Sequence, residues 1–181
     1  FTPADNNQFA QGLAYYFGEP SQSSPPAGWT ASQVGSFTDP ATKAVIGKWD
    51  TKNVTNMEGA FSGSASAARQ TFNENISAWN TSNVSSMRNM FASTPGFVQP
   101  IGGWDVSNVT DMSGMFDNPS GAGSSPGIFN EDITSWDVSK VESMEFMFRG
   151  SEDFTFDIRI WQVGPTTNLN GMFFGAVSVK A

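Results

Sequence analysis

The sequence predicts a repeat protein: a solenoid of five coils with a short-strand parallel sheet on one side, helical turns opposite, and a helix covering the N-terminal end. Three observations lead there. Taking Trp49, Trp79, Trp104, Trp136 and Trp161 in turn as origin, an Ile stands at −3, Val or Thr at +2 and +5, Met or Leu at +8, Met or Ala at +11, and Phe at +12. A further Phe stands at −7 in every copy but the first. The tryptophan spacings are 30, 25, 32 and 25, so the unit is 25 residues with two insertions. Self-similarity at this period marks units that cannot bury an apolar face alone and stack to build a continuous core.

Taken in chain order, the first element is a helix over residues 7–17. Phe9, Leu13, Tyr16 and Phe17 recur at helical spacing after the cap candidate Asp5, and Gly18, Pro20 and a Ser/Pro/Gly run end it. Residues 29–34 echo the Trp-x-Val part of the repeat without its Ile or its Met-Phe pair, which reads as a degenerate coil. Residues 1–42 are therefore expected to form a helical cap with a degenerate first coil, and residues 43–181 the five-coil array.

Within each copy, Ile-x-x-Trp-x-Val/Thr has the period-two placement of Trp and its partner expected of a short strand with both side chains inward. Val-x-x-Met-x-x-Met-Phe has the spacing of a helical or 3₁₀ turn laid on the same core. Asn56, Ser86, Asp111, Ser143 and Asn168 stand where such a turn needs an N-cap. The insertions, residues 62–71 and 117–128, are rich in Gly, Ser, Ala or Pro and read as loops on one edge. Past Phe173 only a few residues remain, among which 176–179 could pair as a last strand.

Composition narrows the function classes. Lys+Arg number 9 against 17 Asp+Glu, a net charge of −8, which argues against nucleic acid or an anionic membrane, since both are bound by neutralising phosphate with basic groups. Cysteine and histidine are absent, which removes disulfides, a thiolate nucleophile, an imidazole base and Cys/His zinc sites. No run of about 18 apolar residues suggests a membrane span. The chain begins at Phe1, as a processed or trimmed chain would.

The run Phe129-Asn130-Glu131-Asp132-Ile133-Thr134-Ser135-Trp136-Asp137-Val138-Ser139, followed by Val141, Met144, Met147 and Phe148, resembles the BspA-type leucine-rich repeat, and more narrowly its DUF285 branch with the Trp-Asp-Val-Ser-Asn-Val-Thr-Asp-Met signature. The similarity covers roughly residues 43 to 173. It implies an α/β repeat, a right-handed leucine-rich-repeat-like solenoid, found in surface proteins of bacteria and of many protists and microalgae. It also implies surface adhesion or protein recognition without catalytic residues. An alternative in the same setting is an extrinsic structural subunit of a larger assembly, for example on the lumenal face of an algal photosynthetic membrane complex. The expected location is accordingly extracellular or cell-surface, or else the thylakoid lumen.

Candidate sites follow from the outward positions. In a stacked array, residues after each Trp line up as one exposed surface. At +1 these are Asp50, Asn80, Asp105, Asp137 and Gln162, and at +3 Lys52, Ser82, Ser107, Ser139 and Gly164, a polar, mildly acidic stripe expected to bind protein or glycan on the sheet face. A Ca²⁺ site needs several oxygens converging on one point, whereas ladder neighbours run parallel, so no metal or cofactor is expected. The Trp and Met ladders read as core rather than as a sugar platform or a soft groove. Carboxylate-only catalysis would need two acids flanking a cleft, which a filled array does not offer, so no enzyme is expected. Three of the five Asn-x-Ser/Thr sequons, Asn53, Asn83 and Asn108, are one repeat position, the others being Asn75 and Asn80. At the far end only Ala176, Val177 and Val179 follow to cover Trp161, Leu169 and Met172, so this coil is expected either to be covered by further chain or to be itself a contact surface, with Phe173, Phe174, Val177 and Val179 as its candidates, the alternative being that the last residues fold back as a cap.

Overall fold

The computed structural model describes residues 1–20, 43–119, 127–176 and 178. Its first element is α1, Asn6–Tyr16. Asp5 is extended, and its side chain accepts from the Gln8 backbone N–H at 2.8 Å, while Gln8 Oε1 accepts from Ala4 N–H at 3.0 Å. These two bonds satisfy donors that a helix start leaves open. Gly18, at φ +65°, closes the far end by donating to Tyr15. The buried face of α1, Phe9, Leu13 and Tyr16, lies on the first tryptophan: Phe9 and Tyr16 meet Trp49 edge-to-face at 6.3 and 6.4 Å. Phe1 adds a third such contact at 4.8 Å.

The five copies follow as a stack. All five tryptophans of the repeats are buried, and Trp49 stacks on Trp79 at 6.2 Å and Trp136 on Trp161 at 6.4 Å. The indole N–H does more than fill space. Trp79, Trp104, Trp136 and Trp161 each donate to the Ile carbonyl of the preceding copy, to Ile46, Ile76, Ile101 and Ile133, at 2.8 to 3.3 Å. A buried indole needs an acceptor, so each copy is pinned in register by the one before it. Beside this column run two of phenylalanine. The closing rings Phe61, Phe91, Phe116, Phe148 and Phe173 stack at 5.4 to 5.6 Å, and each of the first four covers the next opening ring, Phe72, Phe97, Phe129 or Phe154, at 3.9 to 4.4 Å. Each such buried ring is worth roughly 1.5–3 kcal/mol.

The expected parallel sheet is absent. Among the described residues there is no strand, only isolated parallel bridges that link Asn56, Ser86, Asp111, Ser143 and Asn168 in series, with one more between Gly127 and Ser151. The solenoid with a short-strand sheet and helical turns opposite is therefore corrected to a stack of turn-built repeats. Among the described residues helix is confined to α1, the four-residue α2 (Ala67–Gln70) inside the first insertion, and a 3₁₀ segment at Lys43–Lys48.

Two physical causes account for the difference. In the Ile-x-x-Trp segment the Trp N–H bonds to the Ile carbonyl three residues back, in all five copies at 3.0 to 3.2 Å, which folds the segment into a tight turn rather than a strand. In the Met-x-x-Met segment the residue at +10 has positive φ in every copy: Gly59, Asn89, Gly114, Phe146 and Gly171, at +53° to +61°. A left-handed residue cannot continue a right-handed helical turn. Alternate amides beside it point to the next copy instead. Met87, Asn89, Phe91 and Ser93 donate to the carbonyls of Asp111, Ser113, Met115 and Asp117, and the same four bonds recur at each of the four junctions, all at 2.8 to 3.0 Å. The row runs one way, whereas a parallel ladder needs bonds in both directions at successive residues.

Three further expectations also change. Val163 is 36 % exposed and Leu169 46 % exposed, although both fall in the inward frame, because no described residues stack over the fifth copy. Residues 62–71 are not only loop, since they contain α2. The degenerate coil at 29–34 and most of the last strand at 176–179 lie outside the described residues.

Candidate functional site

The stripe at +1 and +3 is on the surface, and the structure shows why those residue types stand there. Asp105 Oδ1 accepts from the Ser107 backbone N–H at 3.0 Å and from its hydroxyl at 2.7 Å. Asn80 does the same with Ser82, at 3.1 and 2.7 Å, and Asp137 accepts from the Ser139 N–H at 3.0 Å. Asp50 accepts from Lys52 N–H and pairs with its ammonium at 2.8 Å. These are turns closed by a side-chain oxygen, and they fix the direction of each carboxylate. The hydrogen bond from Ser107 holds the Asp105 carboxyl below its ordinary range, that from Ser139 does so for Asp137, and that from Lys52 for Asp50. Asp50, Asp105 and Asp137 are thus ionised, pre-oriented acceptors, with Asn80 a neutral acceptor in the same row. The fifth copy breaks it: Gln162 turns its amide to Ile160 and Gly164 carries no side chain.

A second row escaped the sequence reading. At −4 Asn75, Asp132 and Asp157 close similar turns, accepting from the N–H of Ser77, Thr134 and Arg159 at 2.9 to 3.1 Å, and all three are exposed. Asp132 is held low by the Thr134 hydroxyl. For Asn75 and Asp132 the signal was available, since an Asn or Asp followed two residues later by Ser or Thr is the sequence form of such a turn, whereas Asp157 is followed by Arg159.

The repeated sequon has a structural use. Asn53, Asn83 and Asn108 each donate their side-chain amide to a backbone carbonyl of the preceding layer, Pro3, Lys52 and Ser82, at 2.7 to 3.2 Å. The described surface also carries two shallow clefts, each about 180 Å³. One lies between α1 and the first copy, where Arg69 is bound to Glu19 at 2.6 Å and to the Ala60 carbonyl at 2.7 Å. The other, lined by Arg88, Ser113, Asp117, Glu145 and Phe146, holds two carboxylates that are both engaged. Asp117 pairs with Arg149, and Glu145 accepts from Asn168 and Asn170. Among the described residues no three acidic side chains converge on one point. Nor is any helix among them long and apolar enough to cross a membrane.

The C-terminal end is apolar and open. Phe173 stacks on Phe148 at 5.6 Å and is half-buried, Phe174 is 72 % exposed, and Leu169 is 46 % exposed. Val177 and Val179 lie outside the described residues. The structure thus separates the two candidate surfaces, one polar along the side of the stack and one apolar at its end.

A family model described as "Mycoplasma protein of unknown function, DUF285" matches residues 31–121 and 123–181. No curated protein and no solved structure matches the chain.

Proposed function

We propose that this chain, which belongs to the DUF285 family, is a non-catalytic recognition module that binds protein or glycan through the stripe of Asp50, Lys52, Asn80, Ser82, Asp105, Ser107, Asp137 and Ser139. The observation that carries the proposal is the locking of those side chains by their own turns, because a surface whose acceptors are already oriented loses less entropy on binding. The resemblance to BspA-type surface proteins supports an adhesive role on a cell surface or in a secreted setting. Replacing Asp50, Asp105 and Asp137 together by Asn tests it. Asn80 already occupies the same position and closes the same turn, so the fold should be retained while the charge is lost. Binding to immobilised extracellular proteins and glycans should weaken while the far-UV spectrum and a single cooperative melting transition are retained. An unaltered binding profile in the triple variant refutes the stripe as the recognition surface.

A second reading, an extrinsic structural subunit of a larger assembly, is favoured by the open apolar end. Exposed Phe174 and Leu169 are costly to leave in water and natural to bury against a partner.

A further inference from the structure

We propose that the cleft over Gly114 binds a single neutral sugar unit, held between Arg88 and Asn89 on one wall and Glu145 and Phe146 on the other. The site rests on the glycan half of the reading above but shares no residue with the stripe.

The cleft exists because of what stands at +10. Along that column a side chain alternates with its absence: Gly59, Asn89, Gly114, Phe146 and Gly171. Asn89 reaches the place a Gly114 side chain would take, since a Cβ there would lie 2.2 Å from its Oδ1, and the Phe146 ring does the same at Gly171, at 2.3 Å. Asn89 and Phe146 therefore stand one layer to either side of a bare backbone. The space between them, about 180 Å³, is bordered by Arg88, Ser113, Asp117 and Glu145.

Phe146 is the unexpected choice at this position. At φ +55° it carries backbone strain that the Gly of three other copies avoids. Strain of this kind persists where the side chain has a use. The ring is half-buried, with the Arg149 guanidinium over it at 4.5 Å, and it also forms a wall of the cleft.

The polar groups divide into engaged acceptors and open donors. Arg149 holds both oxygens of Asp117, and Glu145 accepts from Asn168 and Asn170. Arg88 is different: the carboxylates it pairs with, Asp111 and Glu58, lie at 3.7 and 3.8 Å, beyond hydrogen-bond reach. The Asn89 side chain has no hydrogen-bond partner among the described residues. In the cleft beside α1, by contrast, Arg69 is fully engaged by Glu19 and by the Gly59 and Ala60 carbonyls.

A hydroxyl group suits both walls at once. It accepts from Arg88 or Asn89 and donates to the remaining lone pairs of Glu145 or Ser113. A sugar carries several hydroxyls around a ring whose C–H face is apolar, which matches the Phe146 wall. A charged ligand fits less well, since an anion would meet Glu145 and Asp117, and a cation would meet Arg88 with both carboxylates already held by donors. The volume falls below the roughly 300–1,000 Å³ of sites for drug-sized ligands, so it takes one unit rather than a chain.

The test is a titration of the full chain with the methyl glycosides of glucose, galactose, mannose and N-acetylglucosamine, up to about 50 mM and read by amide chemical shifts. At least one should shift Asn89, Ser113, Gly114 and Phe146, with a Kd of about 1–10 mM. Arg88→Gln alters an exposed side chain that has no hydrogen bond to lose, so the fold should be retained while that glycoside binds at least about ten-fold more weakly. Phe146→Asn places at +10 the residue the second copy carries there, and should weaken binding likewise. The Asp50→Asn, Asp105→Asn, Asp137→Asn protein should bind the glycoside unchanged. Loss of sugar binding in that protein would move the sugar to the stripe, overturning this site and leaving the stripe reading intact. No shift with any of the four glycosides, equal shifts with sodium acetate, or undiminished binding in Arg88→Gln also overturns it.

Discussion

Gly102 and Gly103 are adjacent and chemically identical, yet the structure gives them different duties. A Cβ added at Gly102 would lie 2.0 Å from the Asp132 carbonyl oxygen, a backbone atom of the next copy that cannot swing away, whereas one added at Gly103 meets nothing within 4 Å. Gly102→Ala is expected to destabilise by about 1–3 kcal/mol, the range for overpacking, and Gly103→Ala by less than about 0.5 kcal/mol. Denaturant unfolding of the two variants measures the difference. Phe146 marks the residue-level anomaly. It adopts φ +55° where the other copies use Gly or Asn, its ring carries the Arg149 guanidinium at 4.5 Å, and it crowds Gly171 so closely that a Cβ there would fall 2.3 Å from it.

The stripe aspartates also make a pH prediction. Their hydrogen bonds to Ser107, Ser139 and Lys52 lower the folded-state pKa of Asp105, Asp137 and Asp50. A lowered carboxyl contributes stability that is complete above the unfolded-state value, about 3.9, and disappears as the pH falls through the folded-state value. The melting temperature should therefore hold down to about pH 4 and fall below it. The acid-limb slope should be shallower in the Asp50→Asn, Asp105→Asn, Asp137→Asn protein. An equal slope in both proteins would contradict the assignment.

At the scale of the element, α1 carries the greatest consequence because it substitutes for a layer. Asn6 is the joint: its Oδ1 accepts from both Thr55 and Asn56 N–H, at 2.9 and 3.1 Å, and its amide donates to the Thr55 hydroxyl at 3.0 Å. Asn6→Ala should cost about 1–3 kcal/mol by leaving those donors without an acceptor, and should raise exchange at Thr55 and Asn56 before that at Met87. The helix was legible in the sequence, since Asp5, the Phe9/Leu13/Tyr16 spacing and Gly18 are all local signals. The columns of Trp, Met and Phe were legible too, because a residue type recurring at a fixed offset reports a shared environment whatever the backbone does. What could not be read was the backbone itself. Ile-x-x-Trp-x-Val fits a strand by its period, but its Ile–Trp turn is set by a hydrogen bond, and hydrogen bonds leave no apolar pattern. The Gly and Asn at +10 were the available warning, as three glycines and one asparagine at that position in four of the five copies are poor helix material.

For the whole molecule, the account is of a stack held by direction: indoles bonding backward to isoleucine carbonyls, amides at +8 to +14 bonding forward, and rings filling the space between. Both candidate surfaces depend on it. The stripe exists because identical turns repeat in register, with Gln162 and Gly164 ending it one copy early, and the open end exists because the forward-bonding row must stop somewhere. The most direct test is amide exchange across the isolated full chain. Slow exchange is expected at Met87, Asn89, Phe91 and Ser93 and at their equivalents in the third and fourth copies, with unprotected amides at Leu169, Gly171, Phe173 and Gly175. Slow exchange at Asn80, Thr81 and Ser82 instead, as a sheet built on the tryptophan segments would give, contradicts the turn-built stack.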